Sequence, residues 1–260
     1  MQLLVRIDLD KPLTLTKGYM DMLRGTLYQL LEKQNVDFSG FIHNSGFRYG
    51  KRKYKLFSFS DVSGSFETKR GKCIFADEAS FVIRSVEPFF GYAIKNELLQ
   101  NGIRLGNHVY KNVEVKSSNP TIEKKEVAIT MISPICVYKT EDESNSASDH
   151  KRKKRRKKKK LCFGPDSEEF YSLIKSNFRR KYEACFGEAP LSDIEIEYMV
   201  DGDSCEPEYT EIKDGSDTLI AWYGDYLLRG ERKYLDFLYQ TGLGSKNSKG
   251  LGLFDVRQDI

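Results

Sequence analysis

Leu3, Val5, Ile7 and Leu9 alternate with Leu4, Arg6 and Asp8, the period-two pattern of a strand with one buried face. Over residues 17–33 the period lengthens. Met20, Leu23, Leu27, Leu30 and Leu31 fall on one side of a helix, so an amphipathic helix is expected there. Strands are expected near 54–60 and 72–86, separated by glycine-bearing turns. Pro88 suits the first turn of a second helix running to about residue 100, and a strand over 109–115 ends the set.

The second half repeats this order. Val127, Ile129 and Met131 alternate with Glu126, Ala128 and Thr130 as an opening strand. A hairpin with arms at 135–139 and 160–163 carries a long charged loop. Pro165, Asp166 and Glu168 then introduce a helix that ends at Gly187. Its apolar stripe is Phe170, Leu173, Ile174, Phe178 and Tyr182, and Lys175, Arg179, Arg180 and Lys181 are expected to form a cationic flank. Strands at 193–200, 207–213 and 217–229, a helix over 230–240 and a strand over 252–257 complete the chain. Each half therefore reads β-α-β-β-α-β, the ferredoxin-like order. The expected class is α+β: two tandem ferredoxin-like (RRM-like) domains, 1–117 and 121–260, joined at Ser117-Ser118-Asn119-Pro120, with a C-terminal glycine-rich loop.

Charge changes the picture locally. The formal net charge is +4, yet residues 151–160 read KRKKRRKKKK, and without those ten cations 32 basic residues face 38 acidic ones, a net of −6. The serine-rich acidic stretch 141–149 precedes the block. Such a pair is expected to be self-repelling and unfolded, with salt-dependent, sequence-independent affinity for a polyanion. The five cysteines are widely spaced and form no C-x-x-C, and the three histidines are scattered, so no disulfide framework, metal site or cofactor is expected. No apolar run is long enough to span a bilayer and no basic leader opens the chain, which points to a cytoplasmic protein that does not engage membranes.

Residues 242–252 place Gly242, Gly244, Gly250 and Gly252 around Ser245, Lys246, Ser248 and Lys249. Bare backbone N–H groups and ammonium heads of this kind suit a phosphate chain. The stretch is neither familiar nucleotide loop: Leu251 follows Gly250 where a Walker loop needs lysine, and Asn247 stands at the third glycine of a dinucleotide fingerprint. A helix C-cap followed by a turn fits it as well.

A second polar loop carries His43, followed by Arg48, Lys51, Arg52, Lys53 and Lys55 among Phe47, Tyr49 and Tyr54. A capping or surface role accounts for a lone histidine here as readily as chemistry does. Tyr28 falls about 100° from the centre of its helix's apolar stripe, on a flank rather than in the core.

The glycine loop, the opening strand and helix, the early histidine, Ser133-Pro134-Ile135 and the Arg180-Lys181-Tyr182 helix together resemble one family. It is the CRISPR-associated endoribonuclease family numbered six, within the RAMP superfamily, which cuts the repeat RNA of CRISPR precursor transcripts. The resemblance spans nearly the whole chain in element order and implies tandem ferredoxin-like folds. It implies catalytic roles for Tyr28 in Leu27-Tyr28-Gln29, His43 in Phe41-Ile42-His43, and Lys55 before Leu56-Phe57. The loop here is longer than the family pattern, which leaves Lys51 and Lys53 as alternatives to Lys55. Metal-independent cleavage by the neighbouring 2′-hydroxyl would use histidine and tyrosine as acid and base, in either assignment, and lysine as the charge. It would leave 5′-hydroxyl and 2′,3′-cyclic phosphate ends. RNA contacts are expected from Lys51, Arg52, Lys53, Lys175, Arg179, Arg180, Lys246 and Lys249. Repeat RNA is the implied partner, with effector-complex Cas proteins and a second copy of the chain as further candidates. The alternative reading is a noncatalytic RAMP-type protein that holds CRISPR RNA without cutting it.

Overall fold

The computed structural model describes residues 1–142, 158–199 and 207–257. The opening alternation forms β1 (Gln2–Asp8), with Leu3, Val5 and Ile7 buried. Three further strands of the first half join it: β2 (Phe57–Phe59), β3 (Glu78–Ser85) and β4 (Val113–Ser118). They form one antiparallel sheet in the order β4-β1-β3-β2. Helices α1 (Tyr19–Gln34) and α2 (Pro88–Asn101) bury Leu23, Leu27, Leu30, Phe90, Ile94 and Leu98 in the same core as the sheet.

The second half builds β5 (Glu126–Met131), β6 (Glu195–Met199), β7 (Asp225–Arg229) and β8 (Phe254–Val256). Their order, β6-β7-β5-β8, matches the first sheet when strands are counted within each half. Helices α3 (Glu168–Phe186) and α4 (Arg232–Thr241) supply Phe170, Ile174, Phe178, Leu235 and Leu238 to its core. Ser167 caps α3 by accepting the Phe170 N–H at 3.3 Å, with Glu168 and Glu169 in the first turn.

Several expected strands divide. The 72–86 segment is Lys72–Phe75 and Glu78–Ser85, and 109–115 splits between His108–Tyr110 and Val113–Ser118. The 217–229 segment breaks at Tyr223-Gly224, where Gly224 takes φ 127°. Its first part, Asp217–Trp222, pairs with Tyr209–Asp214 as a hairpin outside the main sheet. The charged hairpin pairs Tyr138–Asp142 with Lys158–Cys162. Most of the acidic stretch and of the cationic block lies outside the described residues, as do His150 and Cys205. Among the described residues no helix is long and apolar enough to cross a membrane.

Arg84 stitches the two sheets together. It is 1% exposed on β3 and sits 3.7 Å over the Tyr239 ring of α4. Its guanidinium donates to the Gln2 side chain at 2.6 Å, the Tyr239 hydroxyl at 2.8 Å, the Phe254 carbonyl and the Asp255 carboxylate. Asp255 is half exposed, so water re-solvates it if the arginine is removed. Arg84→Met should therefore cost about 2–3 kcal/mol rather than the larger penalty of stranding a buried charge. Urea unfolding monitored at Trp222 would measure it, and a loss under half a kcal/mol would contradict it.

Candidate functional site

Where α1 ends, Asn35 accepts the Phe38 N–H at 2.8 Å and starts a short helix, Val36–Gly40. That helix runs into a π-helical turn, Phe41–Ser45, a wider turn of the kind that recurs at functional sites. The turn closes at Gly46, whose N–H donates to Phe41 at 2.7 Å. Gly46 holds φ 56°, and a Cβ there would lie 2.4 Å from the Tyr54 carbonyl oxygen, so only glycine fits the crossing. A two-stranded ribbon follows, Phe47–Tyr49 with Arg52–Tyr54.

This construction brings Tyr28, His43 and Lys55 together. The rings of Tyr28 and His43 meet edge to face at 4.8 Å and 84°. The Lys55 ammonium donates to the carbonyls of Ile42 and His43, capping the turn that displays the imidazole. His43 is exposed, and its Nδ1 lies 2.9 Å from Asn44 Oδ1. Burial, reinforced by the charge of Lys53, brings the Lys55 ammonium down to about 8. Burial pushes the Tyr28 phenol up to about 12, against a smaller opposing pull from Arg24. Lys53 is exposed and donates to the Asn44 carbonyl at 2.8 Å; Lys51 lies at the exposed tip of the ribbon.

The facing wall is the glycine loop. Its backbone is bonded both within the loop and to the stretch that seats it: Leu243 N–H bonds Gly252 at 2.8 Å, Ser245 N–H bonds Cys136 at 2.7 Å, and Gly252 N–H bonds Pro134 at 2.9 Å. Ser133 Oγ accepts the Leu253 N–H at 2.9 Å, which explains the Ser-Pro-Ile stretch as the loop's seat. The loop lysines differ from an expectation of bare ammonium heads. Lys246 and Lys249 pair with Asp214 at 2.8 and 2.7 Å, and Lys160 of the cationic block joins them at 2.6 Å. Those hydrogen bonds hold the Asp214 carboxyl far below the usual carboxylate range, against the opposing pull of burial.

Lys181 corrects the expected cationic flank. It is 2% exposed, and its ammonium donates to the Gly242 carbonyl and, at 3.2 Å, to Asn247 Oδ1. Asn247 in turn donates to the carbonyls of Leu243 and Leu251 at 2.8 and 3.0 Å, so the pair ties both ends of the loop to α3. Burial alone brings the Lys181 ammonium down to about 7.

Between the walls lies a cleft of about 480 Å³, lined by Tyr28, His43, Arg52, Lys53, Lys55, Lys246 and Lys249, with Arg24, Tyr54, Asn177 and Lys181 beside them. No carboxylate lines it. Lys175 and Arg179 stand elsewhere: at 100° per residue they lie about 120–160° around α3 from Asn177 and Lys181, and Arg179 pairs with Asp193. Both line a separate depression with Glu168 and Tyr171. Arg180 is half-buried, and its Nε has no partner among the described residues. Arg24, Tyr54, Asn177, Lys181 and Asn247 were not among the expected site residues. The Arg180-Lys181-Tyr182 stretch and the i, i+4 spacing of Asn177 and Lys181 beside the core stripe are the signals that mark two of them.

Residues 116–256 match the family model described as CRISPR associated protein Cas6, C-terminal. The CRISPR-associated endoribonuclease Cas6 of Pyrococcus furiosus is 25% identical over 263 residues, covering 98% of this chain and 90% of the relative. A CRISPR-associated endoribonuclease Cas6 of Methanocaldococcus jannaschii is 25% identical over 259 residues, covering 97% and 91%. Among solved structures, one described as CRISPR associated protein Cas6 superposes with a TM-score of 0.74 at 21% identity, covering 99% of each chain. Another, described as an RAMP protein binding different RNA substrates, gives 0.77 at 18% identity, covering 99% of this chain and 100% of the other.

Proposed function

This chain belongs to the CRISPR-associated Cas6 family, and from that premise we propose that it binds CRISPR repeat RNA in the cationic cleft and cuts it without a metal. The observation that carries the reading is the meeting of Tyr28, His43 and Lys55 on one wall of a cleft whose other wall is the glycine loop. We read the two matching sheet orders as tandem ferredoxin-like units, with the cleft lined from both.

In the proposed reaction His43 takes the proton of the 2′-hydroxyl as that oxygen attacks the adjacent phosphorus. A phenol pushed up to about 12 stays protonated near neutrality, so Tyr28 enters as the donor to the departing 5′-oxygen. The P–O5′ bond breaks, leaving a 2′,3′-cyclic phosphate and a 5′-hydroxyl. Lys55 supplies positive charge beside the phosphorane, where negative charge grows. It also fixes His43 through the carbonyls it caps, so position and charge come from one side chain.

CRISPR repeat RNA incubated with the protein in EDTA tests this. A single cut with a cyclic phosphate on the upstream product supports it; a cut that requires added divalent metal or leaves a 3′-hydroxyl overturns the mechanism. Tight binding without cleavage would favour the RNA-holding alternative. Lys55 sets the alkaline limb. Its ammonium is charged below about 8 and loses its proton as pH rises through that value, so the rate should fall there. Single-turnover rates from pH 6 to 9.5 would show the fall, and Lys55→Arg should carry the limb out of that range.

A further inference from the structure

If the cleft binds RNA, its floor still holds polar groups that the cleavage chemistry leaves unused. An ammonium has three N–H donors, and Lys181 finds two acceptors, Gly242 O and Asn247 Oδ1. One helical turn earlier, Asn177 is 6% exposed and its Oδ1 has no partner among the described residues. The Tyr54 hydroxyl, on the ribbon of the first half, is buried and equally without a partner among them. All three residues line the cleft. Buried groups are hydrogen-bonded in the great majority of folded proteins, so two unpartnered atoms and a spare ammonium donor on residues that line one cleft indicate a ligand that completes them.

We propose that Tyr54, Asn177 and Lys181 form a nucleotide subsite beside Tyr28, His43 and Lys55. Lys181 takes the phosphate of an adjoining nucleotide, and Asn177 and Tyr54 bond the polar edge of its nucleoside. This rests on the RNA reading of the cleft and deepens it. The surroundings favour an anion. The charged and titratable groups lining the cleft with Lys181 are Lys246 and Lys249 from the loop, both paired with Asp214, Tyr138 from the charged hairpin, and Arg24, Tyr28, His43, Arg52, Lys53, Tyr54 and Lys55 from the first half. Cations outnumber that one carboxylate. Burial brings the Lys181 ammonium to about 7, so a docking phosphate supplies the counter-charge and draws a proton onto it. Affinity then falls as pH rises from 7 to 8.5, by at most about tenfold per pH unit.

The test measures Kd from pH 6.5 to 8.5 for repeat RNA carrying a 2′-deoxy nucleotide at the cut site, which binds but lacks the nucleophile. Lys181→Met should bind at least about tenfold more weakly at pH 7 and Lys181→Arg should keep affinity with a flatter pH profile; Tyr54→Phe and Asn177→Leu should each lose several-fold. Lys55→Arg, measured alongside, removes that lysine's own titration from the profile. Tyr54→Phe, Asn177→Leu and Lys181→Arg all matching the wild type in affinity and pH profile would overturn the subsite, whether or not Lys181→Met folds. A wild-type protein that binds no repeat RNA is a different result: it sinks the RNA reading itself, and the subsite with it.

Discussion

Replacing His43 with alanine will slow single-turnover cleavage of repeat RNA by about 10²–10⁴-fold while leaving affinity for the uncut RNA within a few-fold. The split follows from where the imidazole sits. It is exposed at the cleft, and the turn beneath it is held by the Gly46 N–H and the Lys55 ammonium, both bonded to backbone carbonyls. Removing the ring therefore deletes the proton acceptor without releasing the loop. Its loss takes one edge-to-face contact from Tyr28, worth about 0.5–1.5 kcal/mol, which the rest of α1's packing tolerates. Tyr28→Phe keeps that contact and the burial, so it isolates the hydroxyl and should slow the same step with no change in Kd. Unchanged cleavage in His43→Ala would remove the assignment; a matched loss of affinity and rate would make His43 a binding residue instead.

The periodicity of the chain carries most of the frame, because strands and helices with one buried face write their period into the sequence. Leu3-Val5-Ile7 and the α3 stripe are of this kind. Leu13–Thr16 and Phe66–Lys69 went unseen for the opposite reason: the first is only four residues long, and the second is exposed throughout, so neither has a long alternation to read. Tyr28, His43 and Lys55 were legible as a set only through the family resemblance, because residue type alone left His43 a capping or surface residue. Tyr28 and His43 come from separate elements, and their meeting depends on a π-helical turn that local pattern does not encode. Lys181 misled by chemistry: its position continues the buried stripe of Ile174, Asn177 and Phe178, yet a lysine reads as surface. Only the carbonyl of Gly242 and the amide of Asn247, some 60 residues onward, make that burial tenable.

Gly252→Ala should destabilise the protein by more than about 4 kcal/mol, an exceptional cost for one methyl group. Gly252 holds φ 77°, and its ideal Cβ would lie 1.9 Å from the Leu243 carbonyl oxygen and 2.7 Å from Asn247 Nδ2. The first of these is backbone on the crossing strand of the loop and has no rotamer to escape into. Relief requires separating the Leu243 N–H from the Gly252 carbonyl and the Gly252 N–H from Pro134, which unseats the start of β8. Gly187→Ala supplies the control. It shares a left-handed backbone, φ 80°, but nothing lies within 4 Å of its Cβ position, so it should cost only about 1 kcal/mol. The difference between the two, read from urea unfolding, isolates the close crossing from the backbone preference. Because Asn247 links that crossing to Lys181, Gly252→Ala protein that does fold should also bind repeat RNA at least tenfold more weakly, whereas Gly187→Ala should bind normally. Equal costs at the two glycines would mean that the loop yields at its crossing and does not set the far wall of the cleft.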